Sequence, residues 1–130
     1  MDIPVVASIN CITSAEWISF AHKLEKSGAD ALELNLFLIP SDISQPAESS
    51  ERFYFDIIEK VKRHVSVPVS LKVSSYFSNL AKMLVDLSET GVQGITLFNR
   101  FYMPDVDIEK EEVIASPVLS KSTDYPVPLR

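Results

Sequence analysis

Residues 67–73 read VPVSLKV, and the two faces of this short run differ in polarity. Side chains alternate between the faces of a β-strand, so valine and leucine share one face while Ser70 and Lys72 share the other. Residues 31–37 (ALELNLF) divide in the same way, with a glutamate and an asparagine opposite three leucines. An open sheet covered by helices would bury these polar groups against apolar side chains, whereas a barrel lines its interior and mouth with them. The alternation therefore favours strands of a parallel barrel.

Helices and strands alternate along the chain on either side of these runs. Four short apolar strands are predicted, at residues 3–10, 31–37, 67–73 and 94–98. The helix after the first strand has the capping-box spacing of Thr13 and Glu16, and Ser49 or Ser50 is expected to cap the second helix. The first and third helices are followed by a glycine, the residue that most often ends a helix. The repeated order predicts right-handed βαβ crossovers, a parallel sheet and an α/β fold.

The last part of the chain, residues 100–130, follows a different pattern. It contains four prolines among acidic residues and no sustained helical or strand period. We expect a long excursion after the fourth strand, with a short extended pair around residues 113–119 and no fourth helix. A complete (β/α)8 TIM barrel takes about 250 residues, so the 130 residues are interpreted as one partial barrel domain. Its four βα-type units would occupy residues 1–99, and an extended tail would occupy residues 100–130.

The composition bounds the functions that the chain can serve. With 46% hydrophobic and 23% charged residues it matches soluble globular domains, and its net charge of -6 argues against nucleic acid or an anionic membrane as a partner. The single cysteine, Cys11, excludes an internal disulfide and is interpreted as a small buried residue rather than a nucleophile. The acidic residues between 105 and 112 resemble a metal loop only in composition, so no metal site is predicted. Because there is no long apolar run and no basic leader, a cytoplasmic protein is expected.

Polar residues stand at the end of every predicted strand. Active sites in parallel barrels lie at the carboxyl ends of the strands, and here these ends carry Ser8, Asn35, Lys72 and Asn99. A lysine inside a strand is costly unless it is paired or binds an anion. Lys72 could therefore form an ion pair with Glu33 on the neighbouring strand, face an anionic ligand, or do both. The two asparagines could likewise bind a ligand or satisfy the backbone of adjacent loops.

Four segments of the sequence resemble one known family in their order and residues. They are residues 4–10 (PVVASIN), 28–35 (GADALELN), 68–72 (PVSLK) and 98–101 (FNRF). Together they resemble the central strands of the dihydroorotate dehydrogenases, which are FMN-dependent β/α barrels that oxidise dihydroorotate to orotate in pyrimidine biosynthesis. The resemblance extends over about residues 3–108. It implies that the chain supplies strands three to six of an eight-stranded barrel.

The resemblance also implies roles for individual residues. Ser8, Lys72 and Phe98 would contact the flavin, with the Lys72 charge near the electron-accepting end of its ring. Asn35 would lie between flavin and substrate, and Asn99 would hydrogen-bond the pyrimidine. A cation beside the flavin favours its anionic reduced form, and amides match the donors and acceptors of a pyrimidine edge. FMN is thus the implied cofactor, and a dihydropyrimidine-like small molecule is the implied substrate.

The sequence departs from this family at the residue that acts as the base. In the soluble members a cysteine, three residues after the asparagine that matches Asn35, removes the substrate proton, and here that residue is Leu38. Losing a general base typically costs about 10²–10⁴-fold in rate, so no catalytic residue is assigned. Pro40 also stands where an amide is usual. The pattern indicates a dihydroorotate dehydrogenase-like branch whose substrate these residues do not identify.

Two functional hypotheses follow. The first is an FMN-dependent oxidoreductase of dihydroorotate dehydrogenase type, of which the 130 residues are an incomplete fragment. In that family the first two strands bring a substrate-binding lysine and the last two bring glycine-rich loops for the FMN phosphate. The fragment alone is therefore expected to lack both FMN and activity. The alternative is a non-catalytic half barrel that forms homodimers through its exposed sheet edges, since two sets of four strands make eight.

Overall fold

The computed structural model of the chain describes residues 3–39, 42–44, 46–100, 104–115, 119, 122–124 and 128. It divides into two compact units, Met1–Asn99 and Arg100–Arg130. The boundary falls one residue after the last predicted strand, which ends at residue 98. The interpretation of the whole chain as a single partial barrel domain stays a prediction.

The first unit is a parallel sheet whose strands alternate with helices. The strands are β1 (Val6–Ile9), β2 (Ala31–Asn35), β3 (Val69–Val73) and β4 (Gly94–Leu97), and they lie in that order in the sheet. The helices are α1 (Ser14–Lys26), α2 (Ala47–Lys62) and α3 (Leu80–Glu89). Each neighbouring pair of strands is parallel. The predicted α/β alternation and the parallel sheet are confirmed, while closure into a barrel stays a prediction.

One face of this sheet forms the hydrophobic core. The inward side chains of β2 and β3 are at most 2% exposed, and they belong to Leu32, Leu34, Val69, Leu71 and Val73. Trp17 of α1, Ile57 of α2 and Leu87 of α3 belong to the same buried cluster. The side chains on the opposite face of β2 and β3 are only partly buried. The division into an apolar and a polar face, which the alternation of residues predicts, is confirmed.

Because α2 packs tightly against the sheet, removing a single methyl group from its buried side should measurably lower the free energy of unfolding. Ile57 is fully buried, and replacing it with valine removes one methyl group without changing polarity. We expect Ile57→Val to lower the free energy of unfolding, measured by urea denaturation, by about 0.5–1.5 kcal/mol. Ile12→Val makes the same chemical change at a side chain that is 87% exposed, so its effect should stay within about 0.5 kcal/mol of zero. Equal losses for the two variants would contradict this packing.

Helix α1 begins with the predicted capping box. The Glu16 backbone N–H donates to Thr13 Oγ1 at 3.3 Å, and the Thr13 backbone N–H donates to Glu16 Oε2 at 2.9 Å. These two bonds satisfy N–H groups that the first turn of a helix otherwise leaves unpaired. The hydrogen bonds that Thr13 donates to the Glu16 carboxylate lower the pKa of that carboxyl group, because they stabilise its charged form.

Helix α2 begins earlier than predicted, and the assignment of Ser49 or Ser50 as its cap is wrong. The helix starts at Ala47, and Pro46 occupies the capping position with an extended backbone (φ -60°, ψ 146°) and without a side-chain hydrogen bond. The Ser49 backbone N–H donates to the Pro46 carbonyl at 3.0 Å. Proline already holds its own φ near this value, so it can start the helix without a side-chain cap.

The second unit contains a short hairpin. Its strands are β5 (Asp105–Asp107) and β6 (Glu112–Ile114), which pair in antiparallel fashion. A 3₁₀ turn follows at Ser122–Asp124. The acidic run at residues 105–112 therefore forms β5, the turn and the first residue of β6.

The extended pair in the C-terminal stretch lies earlier than predicted. The sequence favours a pair around residues 113–119, but Val113 pairs with Val106 instead. The Asp107 carboxylate accepts hydrogen bonds from backbone N–H groups two and three residues later, both at 3.1 Å, and this closes the turn. Such a turn depends on one aspartate and leaves no mark on hydrophobic periodicity, so the periodicity does not predict it. Residues 116–118 lie outside the described part of the chain.

Metal clusters and membrane spans are absent from the ranges that the structure describes. No group of three or more His, Cys, Asp or Glu side chains in those ranges is arranged to hold a metal ion. No helix there combines the length and the apolar character that crossing a bilayer requires. The cytoplasmic location stays a prediction.

The edges of the four-stranded sheet are formed by β1 and β4. Apolar side chains near these edges are partly exposed: Val5 is 43% exposed, Val6 is 56% exposed and Leu97 is 40% exposed. Exposed edge strands favour pairing with further strands. Homodimers formed through these edges stay a prediction.

Candidate functional site

The polar face of the first unit is the side of the sheet opposite the hydrophobic core. It consists of two rows across the strands, first Ser8, Glu33 and Ser70, and then, nearer the carboxyl ends, Asn35, Lys72 and Thr96. The strand register alone sets these rows, because neighbouring residues in a parallel sheet point to the same side. Three of the predicted site residues therefore lie on one face, at the end of the strands where β/α proteins bind ligands.

Glu33 on β2 joins β1 and β4, which are the two edge strands. Ser8 Oγ donates to Glu33 Oε1 at 2.9 Å, and Thr96 Oγ1 donates to Glu33 Oε2 at 3.0 Å. Neighbouring strands lie about 4.8 Å apart, so a flat sheet would hold β2 and β4 too far apart for this second bond. The polar face is therefore concave around Glu33.

Of the alternatives for Lys72, the ion pair with Glu33 is not formed. No Lys72–carboxylate contact is among the ion pairs of the described residues. The register places Lys72 one row beyond Glu33, and the two hydroxyl donors already occupy that carboxylate. Within the described part of the chain, the Lys72 ammonium has neither an ion-pair nor a hydrogen-bond partner, although the residue is partly buried. A cation in this situation favours an anionic ligand.

The two predicted asparagines are joined to each other. Asn99 Nδ2 donates to Asn35 Oδ1, and the Asn99 backbone N–H donates to the Val73 carbonyl at 2.7 Å. The first bond fixes which end of the Asn35 amide faces Asn99, so the Asn35 NH₂ group is left to face other partners. The second bond ties the second residue after β4 to the last residue of β3. The pair lies beside Lys72, since Asn35 and Lys72 are register partners.

Phe98 lies against the hydrophobic core. Its side chain is partly buried and packs against the buried cluster of the first unit. The peptide bond that precedes it, between Leu97 and Phe98, is cis. The contact of the Phe98 side chain with the flavin stays a prediction.

Cys11 is partly buried and packs against the core. Burial raises the pKa of its thiol, and the negative charge of Glu16 raises it further. A raised pKa reduces the thiolate fraction, which is the reactive form of cysteine. These contacts agree with the interpretation of Cys11 as a packing residue rather than a nucleophile.

Leu38, at the position of the usual base, is held by a tyrosine that the sequence does not single out. Its backbone N–H donates to the Tyr54 hydroxyl at 3.4 Å, and its side chain packs against the core.

Ser74, which the alternation places on the polar face, is instead 2% exposed and hydrogen-bonded to Tyr54. The strand β3 ends at Val73, so the alternation of faces no longer applies to Ser74. Pro40 lies outside the described residues.

Burial of Tyr54 predicts a loss of stability at high pH. Desolvation raises the pKa of its phenol above the usual value of about 10. A group whose pKa is higher in the folded chain contributes stability below the unfolded pKa, and this contribution is lost as the pH rises through the folded pKa. We expect the free energy of unfolding to fall more steeply above about pH 10 in the wild type than in Tyr54→Phe, as measured by urea denaturation.

Tyr76→Phe is the matched control for this measurement. The Tyr76 side chain is 41% exposed, so its substitution should keep the steep wild-type dependence on pH. A Tyr54→Phe variant that loses stability as steeply as the wild type would show that the Tyr54 phenol does not cause the effect.

Comparison with known proteins finds relatives of this chain, but no family model matches it. It is 29% identical to a protein of Aeropyrum pernix named putative dihydroorotate dehydrogenase A (fumarate), over 98% of this chain and 43% of that protein. It is 25% and 26% identical to catalytic subunits of dihydroorotate dehydrogenase B (NAD(+)) of Anoxybacillus flavithermus and of a Geobacillus species, in both cases over 94% of this chain and 38% of the subunit. The chain spans about two fifths of the length of these curated relatives. The resemblance that its four motifs indicate is confirmed.

Proposed function

We propose that this chain, a relative of the dihydroorotate dehydrogenases, forms the flavin-facing and substrate-facing strands of an FMN-dependent oxidoreductase. The observation that carries the proposal is the Lys72 ammonium. It is a partly buried cation with no partner among the described residues. It stands beside the Asn35–Asn99 amide pair at the carboxyl ends of the strands. A cation and two amides gathered at this edge are the groups that an anionic, pyrimidine-like ligand needs.

The polar face has the chemistry to hold a flavin ring. The pyrimidine half of the isoalloxazine presents carbonyl oxygens and an N–H group, which hydroxyl and amide side chains can match. We infer that Ser8, Asn35 and Lys72 hold this ring, with Phe98 as a further contact. Lys72 supplies a positive charge that favours transfer of electrons to the ring. When bound, FMN supplies the two-electron acceptor that side chains cannot provide.

The concave polar face supports a barrel rather than an open sheet. Glu33 accepts hydrogen bonds from both β1 and β4, which draws the outer strands towards one side. A closed barrel has such inward curvature all round and encloses the residues that point inside. We infer that the four strands are strands three to six of a (β/α)8 barrel, and that these 130 residues are part of a longer polypeptide.

A glycine-rich loop of the kind that cradles the phosphate of FMN is not found in this sequence. Its glycines are Gly28 and Gly91, which follow α1 and α3 with positive φ angles of 91° and 78°, and Gly94, which begins β4. These positions are separate turns and a strand, so they do not form a glycine-rich loop that could cradle a phosphate. We therefore expect the 130 residues alone to bind FMN too weakly to retain it during purification.

The substrate class that suits the site is a dihydropyrimidine or a related ring. Asn99 is fixed by its backbone bond to Val73 and by its side-chain bond to Asn35, so the amide pair is pre-oriented. A pre-oriented amide pair recognises a ring with alternating donors and acceptors at little entropic cost. The reaction class is oxidation of a CH–CH bond in such a ring. Leu38, at the position of the usual base, cannot accept a proton from that ring.

The proposal is tested on the complete polypeptide that carries these residues. We expect it to be purified with FMN, visible in its absorption spectrum, and the flavin to be bleached when a suitable dihydropyrimidine is added without oxygen. The test needs a folded protein, which circular dichroism can establish. A folded polypeptide that carries no flavin and takes up none from added FMN would overturn the proposed function.

A further inference from the structure

A second candidate site lies on the helix side of the first unit. It is a cavity of about 310 Å³ at the carboxyl ends of β2 and β3, between the beginning of α2 and the loop that leads into α3. This volume is at the lower end of the range for small-molecule sites, about 300–1,000 Å³. The residues that line it include Leu38, Glu51, Tyr54, Tyr76, Phe77 and Ser78. None of them belongs to the polar face, although Leu38 stands at the position of the usual base, so this aromatic cavity lies next to the site proposed for the flavin and not within it.

Aromatic rings make up much of the cavity wall. Tyr54 and Phe77 meet edge to face, with ring centroids 5.1 Å apart. Tyr76 is 6.3 Å from Phe37 by ring centroids, at an angle of 56°. These contacts hold the rings in place before any ligand arrives. The faces of aromatic rings are electron-rich and attract cations.

The charge at the cavity is negative. Glu51 is the only charged residue among the described residues that line it. Ser78 Oγ donates to Glu51 Oε1 at 2.7 Å and so joins α2 to the loop before α3. No ion pair within the described part of the chain involves Glu51, and its Oε2 has no hydrogen-bond partner there. The carboxylate is therefore held at the cavity without a cationic side chain paired to it among the described residues.

We propose that the aromatic cavity binds an organic ammonium ion, with Glu51 as its counter-ion and the rings of Tyr54, Tyr76 and Phe77 around its alkyl groups. An apolar ligand without charge would leave Glu51 uncompensated, and an anion would be repelled by it. An inorganic cation would gain little from the apolar wall, since it prefers several oxygen ligands. An ammonium ion with an alkyl surface uses both the carboxylate and the rings. The inference does not depend on the proposed flavin site.

The test compares choline with 3,3-dimethylbutan-1-ol, which has the same shape but no charge. Each compound is titrated into the 130-residue chain while the backbone amide signals of Tyr76 and Phe77 are followed by NMR. We expect choline to shift these signals and to bind at least about tenfold more tightly than the neutral alcohol. Equal affinities, or no shifts at these residues with choline, would overturn the proposal.

Glu51→Gln separates the charge from the shape of the cavity. Glutamine can still accept the Ser78 hydrogen bond, so the loop keeps its connection to α2. We expect this variant to bind choline about tenfold more weakly and to bind the alcohol as the wild type does. Glu59→Gln is the matched control, since Glu59 lies on the same helix but is paired with Arg63 and does not line the cavity. If Glu51→Gln and Glu59→Gln bind choline equally well, Glu51 is not the counter-ion and the proposal fails.

Discussion

Lys72→Met should slow reduction of the bound flavin by about 10²–10³-fold in the complete polypeptide. Methionine keeps much of the length of lysine and removes only the charge. Because the ammonium has no partner among the described residues, its removal leaves no buried group unpaired. The loss should therefore appear in the electron-transfer step and not in folding. Anaerobic rapid mixing with substrate, followed by flavin absorbance, measures the rate directly.

Lys62→Met is the control for this substitution. Lys62 Nζ donates to the Thr90 carbonyl at 2.8 Å and to the Gly91 carbonyl at 2.6 Å, so its role is to bind the end of α3. Its loss should lower the free energy of unfolding by about 1 kcal/mol and leave flavin reduction unchanged. Wild-type rates of flavin reduction in Lys72→Met would contradict the role assigned to Lys72.

Leu38→Cys should raise the rate of dihydroorotate oxidation by about 10²–10⁴-fold if the base is the only missing group. The Leu38 backbone N–H is held by the Tyr54 hydroxyl, so the substitution changes a side chain at a fixed point of the loop. A thiol with an ordinary pKa of about 8.5 acts as a base only when ionised. The gain should therefore grow as the pH rises towards that value. Steady-state oxidation of dihydroorotate across this pH range measures it.

Leu38→Ala separates the chemistry from the change in size. Alanine is also smaller than leucine but carries no ionisable group, so it should leave the rate at the wild-type level. If Leu38→Cys is no faster than Leu38→Ala, a thiol at this position does not supply the missing base for dihydroorotate. Flavin binding would still stand in that case, because the substitution does not touch Lys72 or Asn35.

The sequence predicts the strands and their two faces because the alternation of side chains along a strand is a local property. Ser70 and Lys72 alternate with buried valine and leucine, and this alone assigns the two faces of β3. The site residues Ser8, Asn35 and Lys72 follow from the same rule, since parallel strands place their ends at one edge of the sheet. The Thr13–Glu16 capping box is also local, and the structure has it.

The features that the sequence does not predict depend on contacts between distant elements. The Thr96 hydroxyl reaches Glu33 across β3 only because the sheet curves. This hydrogen bond occupies the Glu33 carboxylate, which the sequence offers as one possible ion-pair partner of Lys72. Tyr54 lies in α2 and is hydrogen-bonded to Leu38 and Ser74. The sequence pattern around Tyr54 indicates only that this residue belongs to a helix, and it does not indicate these partners. Hydrophobic pattern can assign a side chain to a face, but it does not choose between two partners on that face.

The central claim is that the polar face of this sheet holds the flavin. A crystal structure of the complete polypeptide grown with FMN tests it most directly. The account predicts that the isoalloxazine ring lies against the polar face, with Lys72 and Asn35 within hydrogen-bond distance of its pyrimidine half. A flavin bound elsewhere on the molecule, with Lys72 and the Asn35–Asn99 pair left facing solvent, would contradict it.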